Sequence, residues 1–531
     1  MRLTSVLRRP AGFVVALAIV LGAAPRVATW LAAPSFWLDE AMLALNVVGR
    51  PFTHLFQPLE YGQTGAPLFL ALSRLAAVAA GPTELALRAL PLATGLALLW
   101  LGWRLGRALL GPAGGALGAL LVGVSPPLVR YAAEFKPYGP DAAVAVLLAL
   151  VALPVTERPT DRRQWISLLL VGIMASAASL SAPMVLAGVL GGLAIAPRVR
   201  AVPGWAVRIM GLAAAWAAVF GALYLTVYGA VASDPDMKRR WTATFLDPRA
   251  PDFGHRLSSA LQGLLAAPLP ALSHPWRLFP LVIVGCVGAA WAARRRGWSG
   301  TALLLGPVIA TLAAAMLGRY ALAERLVVFL HPLVLVAYAG SAALVLDRLP
   351  RAARGPALLA TAAGIVGLGG PWAIDSAFNP SGREDLRPLA AEAQRRPAGE
   401  PLYILGRSLP SYWFYSTNWR ARMGKADTAS TRSLRPDEFA SASTGMTWTQ
   451  AGGWSPSAPP PEWGAAEAAR LARVARPYAW VLAAHQEPGA VDALVASARC
   501  FGAHVVWSHQ TDGALLLRLR FPVPPRADDR Q

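Results

Sequence analysis

Phe36 to Leu43 reads FWLDEAML and follows closely on the first long apolar run of the chain. Two adjacent carboxylates, Asp39 and Glu40, are costly wherever they face hydrocarbon. Their meaning therefore depends on whether the chain crosses a membrane and on which side this stretch emerges. The 531 residues are 55% hydrophobic and only 15% charged. The apolar residues fall in recurrent blocks near span length instead of along amphipathic helices, the pattern of a polytopic membrane protein.

Working outward from Asp39, apolar blocks occupy about 11–33, 86–103, 113–129, 139–155, 165–181, 183–197, 205–229, 277–293, 300–317, 325–346 and 356–373. About eleven spans are expected. The basic start and first apolar run resemble a signal peptide, but the run is long and similar blocks follow, so it reads as an uncleaved first span. Every second connection is rich in arginine: Arg8 and Arg9, Arg104 and Arg107, Arg162 and Arg163, Arg198 and Arg200, Arg294 to Arg296, Arg351 and Arg354. The positive-inside rule puts these connections, and the N-terminus, in the cytoplasm. The same rule explains the net charge of +20, and nucleic acid is not expected as a partner. Cys286 and Cys500 are the only cysteines, which suggests neither a disulfide framework nor a zinc site.

The remaining connections face outward, as does everything after about 375. That tail changes character. REDLRPLAAEAQRR and GAVDALVASARC have helical patterns, PLYILGR, YAWVLAAH, HVVWSHQ and GALLLRLR read as short strands, and WSPSAPPPEW reads as a loop. The expected organisation is a transmembrane domain over 1–375 and a small extracytoplasmic α/β domain over 376–531.

Three outward connections carry charge. Asp39 and Glu40 taken alone read first as a solvated helix end. RYAAEFKPYGPDA adds Arg130, Tyr131, Glu134, Lys136, Tyr138 and Asp141, and GRYALAERLVVFLHPL adds Tyr320 and Arg325. Each cluster alone is equally a set of structural ion pairs. Together they place carboxylates and cations on one face at the membrane boundary. Transfer of a sugar from a lipid phosphate needs such a set. The phosphate leaves without a proton donor, so one carboxylate must deprotonate the acceptor and cations must hold the growing phosphate charge. Asp39 suits the first role; Lys136, Arg325 and Arg130 suit the second.

An acidic pair after the first span, QTGAPLFLALSRL with ELALRALP in the first outer connection, YAAEFKPYGPDA in the second and the late RYALAER turn before FLHPL resemble the GT-C membrane glycosyltransferases. Within them the chain is most similar to the branch of protein O-mannosyltransferases and bacterial aminoarabinose transferases. The resemblance covers about 1–375, and the segment from Asp385 to Tyr415 is similar to outer domains of bacterial members. It implies a hexosyl- or pentosyltransferase of the bacterial cytoplasmic membrane, with a polyprenyl-phosphate sugar as donor, membrane lipids around it and an extracytoplasmic acceptor. Asp39 would be the general base and Glu40 its orienter or a secondary acid. Glu134 and Lys136 would line the donor-phosphate pocket, Arg325 would approach from the late turn, and Arg88, Arg130, Tyr131, Tyr138 and Tyr320 would complete the substrate contacts. The chain departs from the family pattern at Ala132, where Ser is usual, and at Lys136, where Arg is usual. Lysine is a point charge and not a bidentate fork.

Other signals are weaker. Asp234 and Asp236 form an Asp-x-Asp, but they fall outside, where nucleotide sugars are not expected, and Pro235 between them marks a turn. Lys238, Arg239, Arg240 and Trp241 follow, suited to anionic headgroups. No metal ion is required by the sequence. A divalent metal stays open, since Glu134 and an outer histidine could meet in space, although His54, His255, His274 and His331 have no metal-ligand spacing. The competing function is a transporter or lipid-linked glycan flippase, which would place charges near the bilayer midplane on repeated halves. A third is an inactive family member serving as a scaffold. Charges on one face and the absence of a repeat favour the enzyme.

Overall fold

The computed structural model describes residues 10–272, 274–378, 383–425, 434–440, 462–475, 477–485 and 489–522. Among them eight helices are long and apolar enough to cross a membrane: Pro10–Ala32, Ala89–Val124, Tyr138–Glu157, Trp205–Tyr228, Leu278–Arg296, Trp298–Met316, Arg325–Arg348 and Arg351–Ser376. The eleven expected blocks are all helical, and they map onto this set of eight in two ways. Blocks 86–103 and 113–129 are two separate limbs lying side by side within Ala89–Val124, where the chain reverses at Gly111 with φ at +86°. Glycine tolerates that left-handed turn, and Pro112 starts the returning limb where its missing N–H is not needed. Blocks 165–181 and 183–197 become helices of 17 and 14 residues, Arg162–Ala178 and Ala182–Ile195.

Small residues set how closely the helices approach. A Cβ on Gly288 would lie 1.7 Å from the carbonyl oxygen of Ala337, so Leu278–Arg296 and His331–Arg348 meet backbone to backbone. Arg26 is fully buried in the first helix. Its two terminal nitrogens donate to the carbonyls of Gly22, Val122 and Gly123 at 2.6, 3.1 and 3.0 Å, partners that hydrocarbon could not supply, while Nε has none.

The two ends of the bundle differ in chemistry. At one end the arginine-rich connections bond to each other: Arg295 reaches Asp347 at 2.8 Å and the Leu110 carbonyl at 3.0 Å, and Arg296 reaches Glu157 at 2.5 Å and the Ala108 carbonyl at 2.6 Å. The limb from Ala89 to Leu110 rises about 33 Å at 1.5 Å per residue. It separates that end from Arg88, where the carboxylates gather. The connection between the first two long helices, residues 33–88, is itself mostly helical, with Leu38–Gly49, a turn at Phe52–Phe56 and Pro67–Ala80.

The tail forms a five-stranded sheet of β1 (Leu402–Ile404), β2 (Glu438–Ala440), β3 (Tyr478–Ala484), β4 (His504–Thr511) and β5 (Ala514–Arg520), in the order β2-β1-β3-β5-β4. β1 runs parallel to β2 and β3, while β5 is antiparallel to β3 and β4. Period-two alternation sorts its side chains. Tyr403, Val481, Leu517 and Leu519 pack under the helices Trp463–Val474 and Ala490–Cys500. Ile404, Leu482 and Leu516 pack with Leu389 of Arg387–Gln394 and with Tyr412 of Leu409–Ser416. Of the expected loop 454–463, residues through 461 lie outside the described residues. The tail rests on the first outer connection, with Phe414 edge-on to Phe36 at 5.1 Å and the Phe36 N–H donating to the Tyr415 hydroxyl at 2.6 Å.

Single cysteines at Thr53, Thr160 and Ser508, all exposed, test the orientation in a chain lacking Cys286 and Cys500. Thr53→Cys and Ser508→Cys should react with an impermeant maleimide in intact cells, and Thr160→Cys only after the membrane is opened. The reverse pattern overturns the arginine-based orientation.

Candidate active site

Asp39 and Glu40 stand in the first turn of Leu38–Gly49. Successive helical residues point about 100° apart, so the two carboxylates cannot share one direction. Glu40 turns inward. Arg88 grips it with a fork, Nε to Oε1 at 2.9 Å and Nη2 to Oε2 at 2.7 Å, and the Phe135 N–H donates to Oε1. Both side chains are 2% exposed. Arg88 also donates to the carbonyl of Pro34 at 2.6 Å and lies 4.8 Å above the Phe36 ring. Arg88, expected as a substrate contact, has its guanidinium engaged by Glu40 and Pro34, and Glu40, expected as orienter or secondary acid, is held in that buried pair. The pair instead joins the segment before Asp39 to the loop that carries Glu134 and Lys136.

Asp39 turns the other way. Its Oδ2 accepts from Arg325 Nη1 at 2.8 Å, and both side chains keep partial exposure. Burial raises its pKa, but Lys136, Arg325 and His485 outweigh burial and hold the carboxyl below its ordinary value. Lys136 is buried, and its Nζ donates to Gln63 Oε1 at 2.7 Å. Burial lowers the pKa of Lys136, with Asp39, Glu134 and Glu40 pulling against it. The Arg325 guanidinium lies 5.5 Å from the Trp241 ring, a cation–π contact that restrains it.

Glu134 sits behind this group. Burial, helped by Glu40, pushes its carboxyl above the ordinary value against the pull of Arg383, Arg130 and Lys136. Arg130 Nε and Arg383 Nη2 each approach its Oε2 at 3.6 Å, while Oε1 is buried without a hydrogen-bond partner. Tyr131 and Tyr138 meet edge to face at 5.0 Å beside Lys136. Tyr320 is turned away: its hydroxyl donates to the Leu326 carbonyl at 2.7 Å and so shapes the turn that presents Arg325. This replaces the expected substrate contact with a supporting one. The structure thus gathers Asp39, Arg130, Tyr131, Glu134, Lys136, Tyr138 and Arg325, and seals Glu40 and Arg88 beneath them.

Four neighbours escaped the sequence reading as site residues. Trp241 lay in a basic run read as a headgroup contact, and Arg383 and Glu384 lay in a segment read only as helical. His485 had no signal at all, because its pairing with Glu384 spans a hundred residues of chain. Among the described residues the charged partners of Glu134 are Arg130 and Arg383. Asp234 does not mark a turn as expected; it leads directly into the short helix Pro235–Trp241.

No family model and no curated protein matches the sequence. Solved structures match in fold. ArnT from Cupriavidus metallidurans in the apo state aligns over 95% of this chain and 98% of its own, at a TM-score of 0.52 and 13% identity. The same protein bound to undecaprenyl phosphate aligns over equal shares at 0.53 and 13%. The apo oligosaccharyltransferase from Archaeoglobus fulgidus aligns over 77% of this chain and 64% of its own, at 0.51 and 14%. The chain shares the fold of these structures, a bundle of long apolar helices with a small C-terminal sheet region.

If Glu40 and Arg88 are structural, removing one strands a buried charge. Arg88→Ala should cost about 3–5 kcal/mol of stability, read as a fall in the thermal midpoint in detergent. Arg88→Ala combined with Glu40→Ala should cost less than the sum of the single changes. Strict additivity would place the two residues in separate roles.

Proposed function

We propose that the chain is an inverting glycosyltransferase that moves a sugar from a polyprenyl-phosphate carrier to an acceptor outside the bacterial cytoplasmic membrane. Its N-terminus is inside, and residues from 376 onward form an outer domain. One observation carries the reading: a partly exposed carboxylate, Asp39, ion-paired to Arg325 and electrostatically coupled to Lys136 at one end of a GT-C bundle. The likeness to a structure holding undecaprenyl phosphate supports a lipid phosphate as carrier.

The chemistry needs one proton acceptor and a place for charge. An acceptor nucleophile loses its proton to Asp39 as it bonds to the anomeric carbon, and the bond from that carbon to the phosphate oxygen breaks. The electron pair of that bond leaves with the phosphate, where Lys136 and Arg325 neutralise it. Attack opposite to the leaving group inverts the anomeric centre. Arg130 and Glu134 border the phosphate side, and Tyr131 and Tyr138 supply its aromatic wall. A flippase would move the carrier lipid without cleaving it.

Asp39→Asn keeps the shape and loses the base. Turnover should fall by roughly two to four decades while a polyprenyl phosphonate competitor still binds. Lys136→Ala should weaken both competitor binding and turnover, because the leaving phosphate is charged before and after bond cleavage. Near-normal turnover of Asp39→Asn, with product identified by mass spectrometry, would remove the mechanism.

Arg325 also affects pH dependence. It helps hold Asp39 below the ordinary carboxyl value, so Arg325→Ala should raise that pKa and leave less carboxylate at acid pH. The acid limb of the kcat/KM profile, which reports the free enzyme, should therefore move to higher pH; an unmoved limb means that Asp39 is not the titrating base.

A further inference from the structure

The helix that carries Asp39 has no cap of its own. Trp37, the residue ahead of it, makes no side-chain bond to the first turn, yet N–H groups there need acceptors. The acceptor for Leu38 comes from the tail: its N–H donates to Glu384 Oε2 at 3.1 Å. The other Glu384 oxygen holds His485 Nδ1, and Glu384 is 4% exposed.

The residues around Glu384 fasten the same point. Ser35 Oγ donates to the Asp385 carboxylate and accepts from the Arg387 N–H at 3.2 Å, and the Arg383 guanidinium lies 4.0 Å from the Trp37 ring centre. The segment is pinned in turn to the β4–β5 hairpin. Asp385 N–H donates to the Asp512 carbonyl at 2.7 Å, and a Cβ on Gly513 would lie 2.4 Å from the Arg383 carbonyl. The hairpin is thus linked through residues 383–387 to the backbone immediately before Asp39.

We propose that Glu384, clamped by His485, is a positioning residue for the transfer reaction: it caps the Asp39 helix from the tail and thereby fixes the Asp39 carboxylate against Arg325 and Lys136. The proposal rests on the glycosyltransferase reading above. A cap fixes the backbone torsions at Trp37 and Leu38, and those torsions set the direction of the Asp39 Cα–Cβ bond. The cap carboxylate is also favourable at the positive end of the helix. His485 does a second job from the same place, since it is among the groups that hold Asp39 ionised. The tail is on this account part of the active site and not an appendage to it.

The test uses the full chain in nanodiscs and two readouts. In Glu384→Ala, amide hydrogen exchange of residues 36–43 should accelerate about five- to thirtyfold, the change expected when a helix cap is lost, with exchange over 278–316 unchanged. Turnover should fall about tenfold with the KM for a polyprenyl-phosphate sugar unmoved, because Lys136 and Arg325 are intact. Glu384→Gln keeps an oxygen for the Leu38 N–H and should restore both. Should Glu384→Ala not fold, Glu384→Asp shortens the reach and should shift exchange and turnover in the same direction. Unchanged exchange at 36–43 overturns the cap. Restored exchange without restored turnover, or a matching rise in KM, overturns the positioning role. A parent chain inactive on every polyprenyl-phosphate sugar defeats the transferase reading and the positioning role with it, while the exchange data still decide the cap by themselves.

Discussion

The Glu40–Arg88 pair is the constraint on which the rest of the site depends. Two charges at 2% exposure are tolerable only with a complete set of partners. They find it by drawing together the segment after the first span, the residue that opens the second long helix and the backbone of the Glu134–Lys136 loop. Once Glu40 is fixed inward, Asp39 must lie on the adjoining face of the same turn. The adjacency of the two carboxylates in FWLDEAML thus divides their positions, Glu40 buried with Arg88 and Asp39 partly exposed beside Arg325.

A second constraint comes from the tail. Phe414 and Tyr415 pack and bond against Phe36, and Glu84 accepts from both Tyr415 at 2.9 Å and Arg387 at 3.0 Å. These contacts converge on residues 34–38, so the start of the Asp39 helix is held from below by the bundle and from above by the sheet region. The sequence separation is more than three hundred residues. Only a folded tail brings these groups together.

Much of this was legible in the chain because it follows from local pattern. Apolar blocks and arginine alternation give the helical bundle, and the arginine ends do bond to one another, as Arg295–Asp347 and Arg296–Glu157 do. The strands at Tyr478–Ala484 and Ala514–Arg520 came from short, dense apolar runs. What failed had non-local causes. Arg88 was read as a substrate contact because its sequence position matches a family pattern, and only packing reveals that Glu40 consumes its fork. Tyr320 stood two residues into a charged turn, but its hydroxyl is spent on the Leu326 carbonyl. The eleven blocks correspond to eight long apolar stretches because two of them are the limbs that meet at Gly111 and two others form helices of 17 and 14 residues on either side of Ser179–Ser181.

The resting state of Asp39 matters for its proposed work. Held ionised by cations, it is a weak base, and a weak base takes a proton poorly. Arg325 is the cation directly bonded to it, and phosphate oxygens compete for that same guanidinium. On the proposed reading, a bound donor phosphate draws Arg325 from Asp39 and offsets the charge of Lys136. Both changes raise the basicity of the carboxylate at the moment a nucleophile is presented. The ion pair then serves two states of one cycle: without donor it keeps a half-buried carboxylate charged, and with donor it yields the cation to the leaving group and the proton site to the acceptor. Trp241 and Gln63, which restrain Arg325 and Lys136 from outside the pair, keep both cations within reach of either partner.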